Sequence, residues 1–256
     1  MRIAIVKQLL ASLQNPDAIV EDLWVFRHWV VAKTVRPAVV SIPDAGFEDL
    51  CCGSSDISEW LKQPVKEVVM KGMTSRDTVQ RAAAMACLNG SIRPAQSTFN
   101  GNALMPFGKL VRHTPTCFIG HFEEGAKWRD LGWPVTIVEL SPRPGDVHWL
   151  DADEPLAQCK IVFLTGLTLL NDTFEQVIDR TPNATLRVLM GPTVPPSAAL
   201  LKYGIHVVGG TRVIHFEKLL RYFQYGGTSI KKVPKGTIER FNIVDPELNL
   251  EVSHVA

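Results

Sequence analysis

Short apolar runs alternate with helical stretches from about residue 112 onward. The segments between and after these runs predict helices around 124–131, 151–158, 168–180, 196–203 and 215–225. Apolar strands flanked by helices are typical of parallel sheets covered on both faces, so we predict a five-stranded parallel, doubly wound, Rossmann-like domain. The runs predicted as its strands are Thr116–Gly120, Val135–Leu140, Lys160–Gly166, Leu186–Gly191 and Ile205–Gly209.

The pattern before residue 90 is mixed. Leu23–Thr34 and Pro37–Ile42 are rich in β-branched and aromatic residues and predict strands. Ser75–Asn89 predicts a helix that Ser75 caps and Gly90 ends. The fold class is therefore α/β, with a small α+β domain followed by the Rossmann-like domain.

Residues 91–110 lack apolar periodicity and carry several prolines and glycines, as a connecting segment does. We accordingly predict an α+β domain over residues 1–95, a linker over 96–111 and the Rossmann-like domain over 112–256. The length of 256 residues allows each domain a core of its own.

Composition and charge narrow the function classes. The chain is 46% hydrophobic and 21% charged, which excludes a disordered, collagen-like or coiled-coil protein. Lys and Arg number 27 and Asp and Glu number 26, so the net charge is +1. This balance gives no general field for phosphate backbones, and we expect no nucleic-acid partner.

The cysteines and the amino terminus indicate a reducing compartment. The chain has five cysteines and no C-x-x-C pair, unlike a secreted disulfide framework. The amino-terminal residues predict an amphipathic helix rather than a signal peptide, and no apolar stretch is long enough to span a bilayer. We expect a cytoplasmic protein with no membrane partner, and leave a homodimer open as its assembly.

The carboxyl ends of the predicted strands carry the candidate site, because ligands of open α/β sheets bind at that edge. Glycines follow the strands there and let a ligand approach the backbone, while helix amino termini attract anions. The candidate ligand-binding residues include Gly120, Thr165, Gly166, Thr168, Asn171, Gly191, Pro192 and Thr193.

A dinucleotide or S-adenosylmethionine site is only partly supported. The first strand is followed by G-H-F-E-E-G, which lacks the G-x-G core and places Glu124 where a pyrophosphate would be repelled. However, Glu139 lies 19 residues after Gly120, where an acid that binds a ribose is expected. A nucleoside cofactor therefore remains the second expectation.

A metal site is the first expectation. His113, Cys117, His121, Glu139 and His148 lie at or near the first two strands but follow no fixed ligand spacing. We select His121 and Glu139 as the candidate metal ligands, since His121 lies at the mouth of the sheet and imidazole can ligate or move a proton. Cys51 and Cys52 are soft donors in principle, although small buried hydrophobes are the commoner role of such residues.

The order of the strand-end motifs resembles the heavy-metal chelation family, a family of unknown function. The residues that carry the resemblance are FIGHF (118–122), VELSPRPGD (138–146), TGLTLLNDT (165–173), GPTVPP (191–196), YGIHVVGGTRV (203–213) and, upstream, RAAAMACLNG (81–90). The resemblance implies an enolase-N-terminal-like domain joined to a Rossmann-like domain, with a ligand cleft between them. It adds Asn89 to the candidate ligand-binding residues.

The sequence departs from the family at several motif positions. The family loop is commonly G-H-F-P, but here Glu123 and Glu124 follow Phe122. Leu167 and Asp172 stand where Thr and Gly are more frequent.

Three functions remain open. The first is binding of a metal ion or an anionic metal-chelating small molecule in the interdomain cleft, with or without turnover. The second is an enzyme with an S-adenosylmethionine-like or NAD-like cofactor whose ribose contacts Glu139. The third is a non-catalytic interaction module that uses an exposed tryptophan-rich surface of the first domain.

Overall fold

The computed structural model describes residues 2–43 and 56–248. The amino-terminal part of these residues forms a three-stranded antiparallel sheet with three helices. The strands lie in the order β1-β2-β3, and α2 and α3 pack against each other and, through α3, against β2 and β3. The elements are α1 (Arg2–Leu10), β1 (Asp22–Val25), β2 (Trp29–Lys33), β3 (Pro37–Ser41), α2 (Val65–Thr74) and α3 (Thr78–Ser91).

The segment predicted as one strand, Leu23–Thr34, is a hairpin, so that prediction was wrong. The backbone amide of Phe26 donates to the carbonyl of Trp29, and the amide of Trp29 donates to the carbonyl of Phe26. The reversal was hidden because both strands have the same β-branched and aromatic composition and no Gly or Pro separates them. The hairpin places Trp24 opposite Val31.

Helix α3 begins and ends later than predicted. Asp77, not Ser75, is its N-cap, and Asp77 Oδ1 accepts hydrogen bonds from the amides of Val79 at 2.7 Å and Gln80 at 3.1 Å. Gly90 does not end the helix, which continues to Ser91. A Cβ at Gly90 would collide with the carbonyl oxygen of Arg36, so the glycine permits close packing of the helix on the β2–β3 turn.

The remaining described residues form an eight-stranded sheet. All five predicted strands are present and parallel, which confirms the predicted Rossmann-like sheet. The strands are β4 (Phe99–Asn100), β5 (Thr116–Ile119), β6 (Val135–Glu139), β7 (Val147–His148), β8 (Ile161–Thr165), β9 (Leu186–Met190), β10 (Val207–Val213) and β11 (Ile238–Val244). Their order is β4-β11-β10-β9-β8-β5-β6-β7.

The sheet is wider than the five predicted strands. Strand β7 extends it in parallel beyond β6, whereas β11 and β4 extend the other edge antiparallel to their neighbours. Strand β4 belongs to the segment predicted as a linker, which also contains the 3-10 helix Met105–Phe107 and α4 (Gly108–Val111).

Helices connect the strands, and several are shorter than predicted. The α-helices are α5 (Glu123–Asp130), α6 (Asp153–Gln158), α7 (Phe174–Arg180) and α8 (Phe216–Gln224). The predicted helix 196–203 is a 3-10 helix, Ala198–Tyr203, and the predicted helix 168–180 is divided into the 3-10 helix Gly166–Leu169 and α7. Further 3-10 helices span Ser58–Trp60, Trp149–Asp151 and Ile230–Lys232. In the described residues, no helix is long and apolar enough to cross a membrane.

Alternate residues of the parallel strands enter two separate cores. Cys117 and Ile119 of β5 point into a large core that also contains the buried faces of α1, α2 and α3. Phe118 points to the opposite face, where it stacks on Phe163 with ring centroids 4.8 Å apart. The amino-terminal elements therefore share one continuous core with one face of the large sheet.

A third core, the α8 aromatic cluster, joins β2 and β3 to helix α8. It consists of Trp29, Val31, Val39, Leu219, Leu220 and Phe223, with Trp24, Phe26 and Phe216 packed against it. The rings of Trp29 and Phe223 stack at 5.7 Å, and those of Trp24 and Phe216 lie 5.1 Å apart. Helix α8 thus covers the aromatic face of the small sheet.

Candidate functional site

A cleft of about 410 Å³, which we call the main cleft, lies at the carboxyl ends of β5, β6 and β8. Six predicted ligand or metal residues line it: Gly120, His121, Glu139, Thr165, Thr168 and Asn171. Pro43 follows β3 and Thr78 begins α3, and both also line the cleft. Its walls therefore come from the amino-terminal elements and from the large sheet.

The other predicted ligand-binding residues do not line the main cleft. Gly191 and Pro192 line a smaller cavity of about 120 Å³, which we call the glycine pocket. Gly166 and Thr193 are buried, and a Cβ at Gly166 would lie 2.7 Å from Cγ2 of Val194. Gly166 is therefore required for close packing.

Asn89 reaches the carboxyl edge of the large sheet. Its Nδ2 donates to the carbonyl of Thr193, which follows β9, at 3.0 Å. Thr193 Oγ1 in turn accepts a hydrogen bond from the amide of Ser41 at 3.3 Å. These contacts tie α3 and β3 to the large sheet, and they are structural rather than part of the main cleft wall.

His121 is paired with a buried carboxylate. Its Nδ1 lies 3.4 Å from Oδ2 of Asp146, whose side chain has no exposed surface, and the histidine side chain itself is 17% exposed. A proton on Nδ1, facing the carboxylate, leaves the lone pair on Nε2. Carboxylates orient metal-binding imidazoles in this way.

Two arginines hold Asp146 in place. Arg129 Nη1 donates to Asp146 Oδ1 at 2.7 Å, and the amide of Arg143 donates to Asp146 Oδ2 at 3.2 Å. Burial alone would raise the pKa of Asp146, but these hydrogen bonds and the contact with His121 outweigh it and lower the pKa below its ordinary value. Asp146 therefore places a negative charge behind the imidazole at neutral pH.

Glu139 holds the turn that carries His121. Burial raises the pKa of Glu139, and hydrogen bonds from the amides of His121 and Leu140 oppose that shift without cancelling it. The carboxylate therefore spans the ends of β5 and β6. Gly120, at φ +107°, gives the turn between β5 and His121 a conformation that other residues rarely adopt.

The remaining polar residues of the cleft stabilise local turns. Thr165 Oγ1 accepts from the amide of Leu167 at 3.3 Å, and Thr168 Oγ1 donates to the carbonyl of Thr165 at 2.8 Å. Asn171 Oδ1 accepts hydrogen bonds from the amide and the hydroxyl of Thr173. The amide Nδ2 of Asn171 is the donor that these turns leave for a ligand.

The other metal candidates lie apart from His121. His113 is exposed after α4, His148 Nδ1 accepts a hydrogen bond from the amide of Leu150, and Cys117 Sγ donates to the carbonyl of Pro155. The hydrogen bond with Cys159, together with burial, raises the pKa of Cys117 and keeps it a neutral thiol. Over residues 2–43 and 56–248, no group of three His, Cys, Asp or Glu side chains is arranged to hold a metal ion. Cys51 and Cys52 lie outside the described residues.

Sequence reasoning missed the residues that support His121. Asp146, Arg129 and Arg143 lie 25, 8 and 22 residues from it along the chain, and their contacts depend on the β6–β7 connection. The proline- and glycine-rich turn before Asp146 was a signal, since Gly145, at φ +85°, adopts a conformation typical of turns.

The tryptophans of the amino-terminal elements do not form an exposed docking surface. Trp29 and Trp60 are buried, and Trp24 packs on Phe216 in the α8 aromatic cluster. The interaction-module hypothesis was built on exposure of these rings, and intramolecular packing on α8 removes that basis.

Comparisons with known proteins agree with the fold. The DUF364 family model, described as "Putative heavy-metal chelation", matches residues 105–241, more than half of the chain. An uncharacterized protein of Methanocaldococcus jannaschii is 40% identical over 76 residues, a match that spans 29% of this chain and 29% of that relative's length.

Two crystal structures of proteins of unknown function from the same family have the same fold. One, from Desulfitobacterium hafniense, aligns with a TM-score of 0.80 and 16% identity over 94% of this chain and 98% of its own. The other, from Pyrococcus horikoshii, aligns with a TM-score of 0.73 and 16% identity over 96% of this chain and 100% of its own. The chain therefore belongs to the DUF364 family, the family described as putative heavy-metal chelation.

Proposed function

We propose that the main cleft binds an anionic metal chelate, with His121 as the protein's own donor to the metal. The observation that carries this proposal is that His121, in the wall of the main cleft, is paired through Nδ1 with Asp146 behind it. A buried carboxylate on Nδ1 fixes the imidazole and directs the lone pair of Nε2 to a ligand. The family description is consistent with this chemistry.

The size of the cleft favours a chelate over a bare ion. Sites for small organic molecules typically occupy about 300–1,000 Å³, and the main cleft, at about 410 Å³, is within that range. Metal ions in protein sites take four or more ligands. His121 supplies one, and a small-molecule chelator supplies the rest.

The charges around the cleft favour an anionic ligand. Arg143 lines the cleft and is exposed, whereas the charge of Asp146 is compensated by Arg129. Glu139 is the acidic residue of the described wall, and burial raises its pKa, which disfavours its charged form. Asn171 Nδ2 is placed to donate to a ligand carboxylate. A direct bond from Glu139 to the metal remains a prediction.

A nucleoside cofactor is the alternative function, and the position of Glu139 favours it. Glu139 ends β6 beside Gly120, which is the position of a ribose-binding acid in a doubly wound sheet. Two backbone amides already occupy its carboxylate, which leaves fewer lone pairs for ribose hydroxyls. We therefore place this function second.

Analysis of the native protein tests the proposal. The chain and its His121→Ala variant would be purified in parallel without chelators, then examined by elemental analysis and by mass spectrometry of the released small molecules. We expect a metal together with an acidic chelator from the chain and neither from the variant. Release of an adenosine compound would support the alternative instead, and retention of the metal by the variant would contradict the proposal.

A further inference from the structure

The glycine pocket is a second cavity that the proposed function does not use. It lies at the carboxyl end of β9 and beside the middle of β10, and has a volume of about 120 Å³. Gly191, Gly209 and Gly210 form part of its wall, and Asn242 and Arg240 of β11 form another part. Phe122 lies in the walls of both the glycine pocket and the main cleft, and so lies between them.

A buried hydrogen-bond acceptor faces the glycine pocket. Asn242 is 1% exposed, and its Nδ2 donates to the carbonyls of Phe99 and Gly101, each at 3.1 Å. These bonds fix the amide so that Oδ1 lies on the side of Gly209, where a Cβ would be 2.8 Å from it. Within the part of the chain that the structure describes, the hydrogen bonds of Asn242 run through Nδ2 and the backbone, so Oδ1 is left as an acceptor for a ligand in the pocket.

A positive charge lies at the same pocket. Lys231 is already compensated, because its Nζ lies 3.2 Å from Glu123 Oε2 and 3.5 Å from Glu124 Oε2. Arg240 also lines the pocket, and over residues 2–43 and 56–248 it forms no ion pair. A guanidinium binds a carboxylate through two parallel hydrogen bonds, so Arg240 is suited to an acidic ligand.

We propose that the glycine pocket binds a small carboxylic acid that also carries a hydrogen-bond donor, as hydroxy acids and amino acids do. Arg240 binds the carboxylate, and Asn242 Oδ1 accepts from the hydroxyl or amino group. The pocket has the liquid volume of about four water molecules, which limits the ligand to a short carbon chain. The absence of a side chain at Gly209 lets Asn242 Oδ1 lie against the backbone of β10.

Calorimetric titration of the full chain with L-lactate, L-serine and propionate tests this site. Propionate has the carbon chain of lactate without the hydroxyl, so it leaves Asn242 Oδ1 unpaired. We expect lactate or serine to bind at least about fivefold more tightly than propionate. Arg240→Gln should weaken that binding about tenfold or more, because it removes a charge-assisted hydrogen bond.

Two control variants test whether binding depends on the glycine pocket itself. Lys235 lines a neighbouring surface groove but not the glycine pocket. Lys235→Gln should therefore leave the affinity of the glycine pocket within about twofold of its original value. His121→Ala should leave binding in the glycine pocket unchanged, even if the substitution abolishes binding in the main cleft. The proposal is overturned if neither lactate nor serine binds, if propionate binds equally well, or if Arg240→Gln has no more effect than Lys235→Gln.

Discussion

At the scale of single residues, Asp146 decides how His121 can act. Its Oδ2 contacts the imidazole and accepts a hydrogen bond from the Arg143 amide, and its Oδ1 accepts one from Arg129. The side chain has no exposed surface. An isolated buried charge would be costly, but these partners compensate it and fix its position. Asp146, which does not itself line the main cleft, therefore sets which ring nitrogen of His121 keeps its lone pair.

Asp146→Asn should lower the free energy of unfolding by about 1–3 kcal/mol at neutral pH, because it removes a charge-assisted hydrogen bond to Arg129. Since the folded state lowers the pKa of Asp146, this stabilisation is present above the ordinary carboxyl pKa of about 3.9 and is lost as the pH falls through the lowered value. Denaturant unfolding of both proteins between neutral and strongly acidic pH measures the difference.

Asp130→Asn is the matched control for Asp146→Asn. Asp130 lies 3.5 Å from the same arginine but is 72% exposed, so its removal should change the free energy of unfolding by less than about 0.5 kcal/mol. A difference between Asp146→Asn and the unsubstituted chain that persists unchanged in acid would contradict the role assigned to the buried carboxylate.

At the scale of elements, the long apolar strands could be predicted from the sequence, whereas contacts that depend on tertiary structure could not. The five parallel strands followed from their β-branched composition, because strands buried on both faces must be apolar throughout. Strand β7 has two residues and β4 two, too few for any periodic signal. The site was predictable only in part for the same reason. His121 and Glu139 follow long strands, whereas the side chain of Asp146 is positioned by a turn before β7.

The contact between α2 and α3 depends on small residues. Ala84 is fully buried, and a Cβ added at Gly72 would lie 2.5 Å from the Ala84 Cβ. Ala84→Leu should therefore destabilise the fold by about 1–3 kcal/mol through overpacking. Thermal and denaturant unfolding test this, with Lys66→Ala on the exposed face of α2 as the control. An Ala84→Leu chain as stable as the control would show that the two helices do not pack this closely.

At the scale of the whole molecule, the α8 aromatic cluster connects the small amino-terminal sheet to helix α8, which follows β10. Strands β2 and β3 are covered by α8, and the amide of Ser41 donates to Thr193 beside the large sheet. Pro43, two residues after Ser41, and Thr78, at the start of α3, complete the main cleft beside β5, β6 and β8.

Phe223→Ala should lower the free energy of unfolding by about 3–5 kcal/mol, because Phe223 is 4% exposed and contacts Trp29, Phe26 and Tyr222. Tyr225 lies two residues further along and is 86% exposed, so Tyr225→Ala should change that energy by less than about 0.5 kcal/mol. Equal effects of the two substitutions in denaturant unfolding would contradict the packing of α8 on the small sheet.

The central claim is that His121 donates to the metal of an anionic chelate in the main cleft. Calorimetric titration with Ni²⁺–nitrilotriacetate tests it most directly, because this anionic chelate leaves coordination positions open for an imidazole. His113, which is exposed and outside the cleft, provides the control substitution. We predict one binding event for the unsubstituted chain, since an imidazole can take an open position on the nickel. His121→Ala should abolish it and His113→Ala should preserve it. Equal binding by the chain and its His121→Ala variant would contradict the claim.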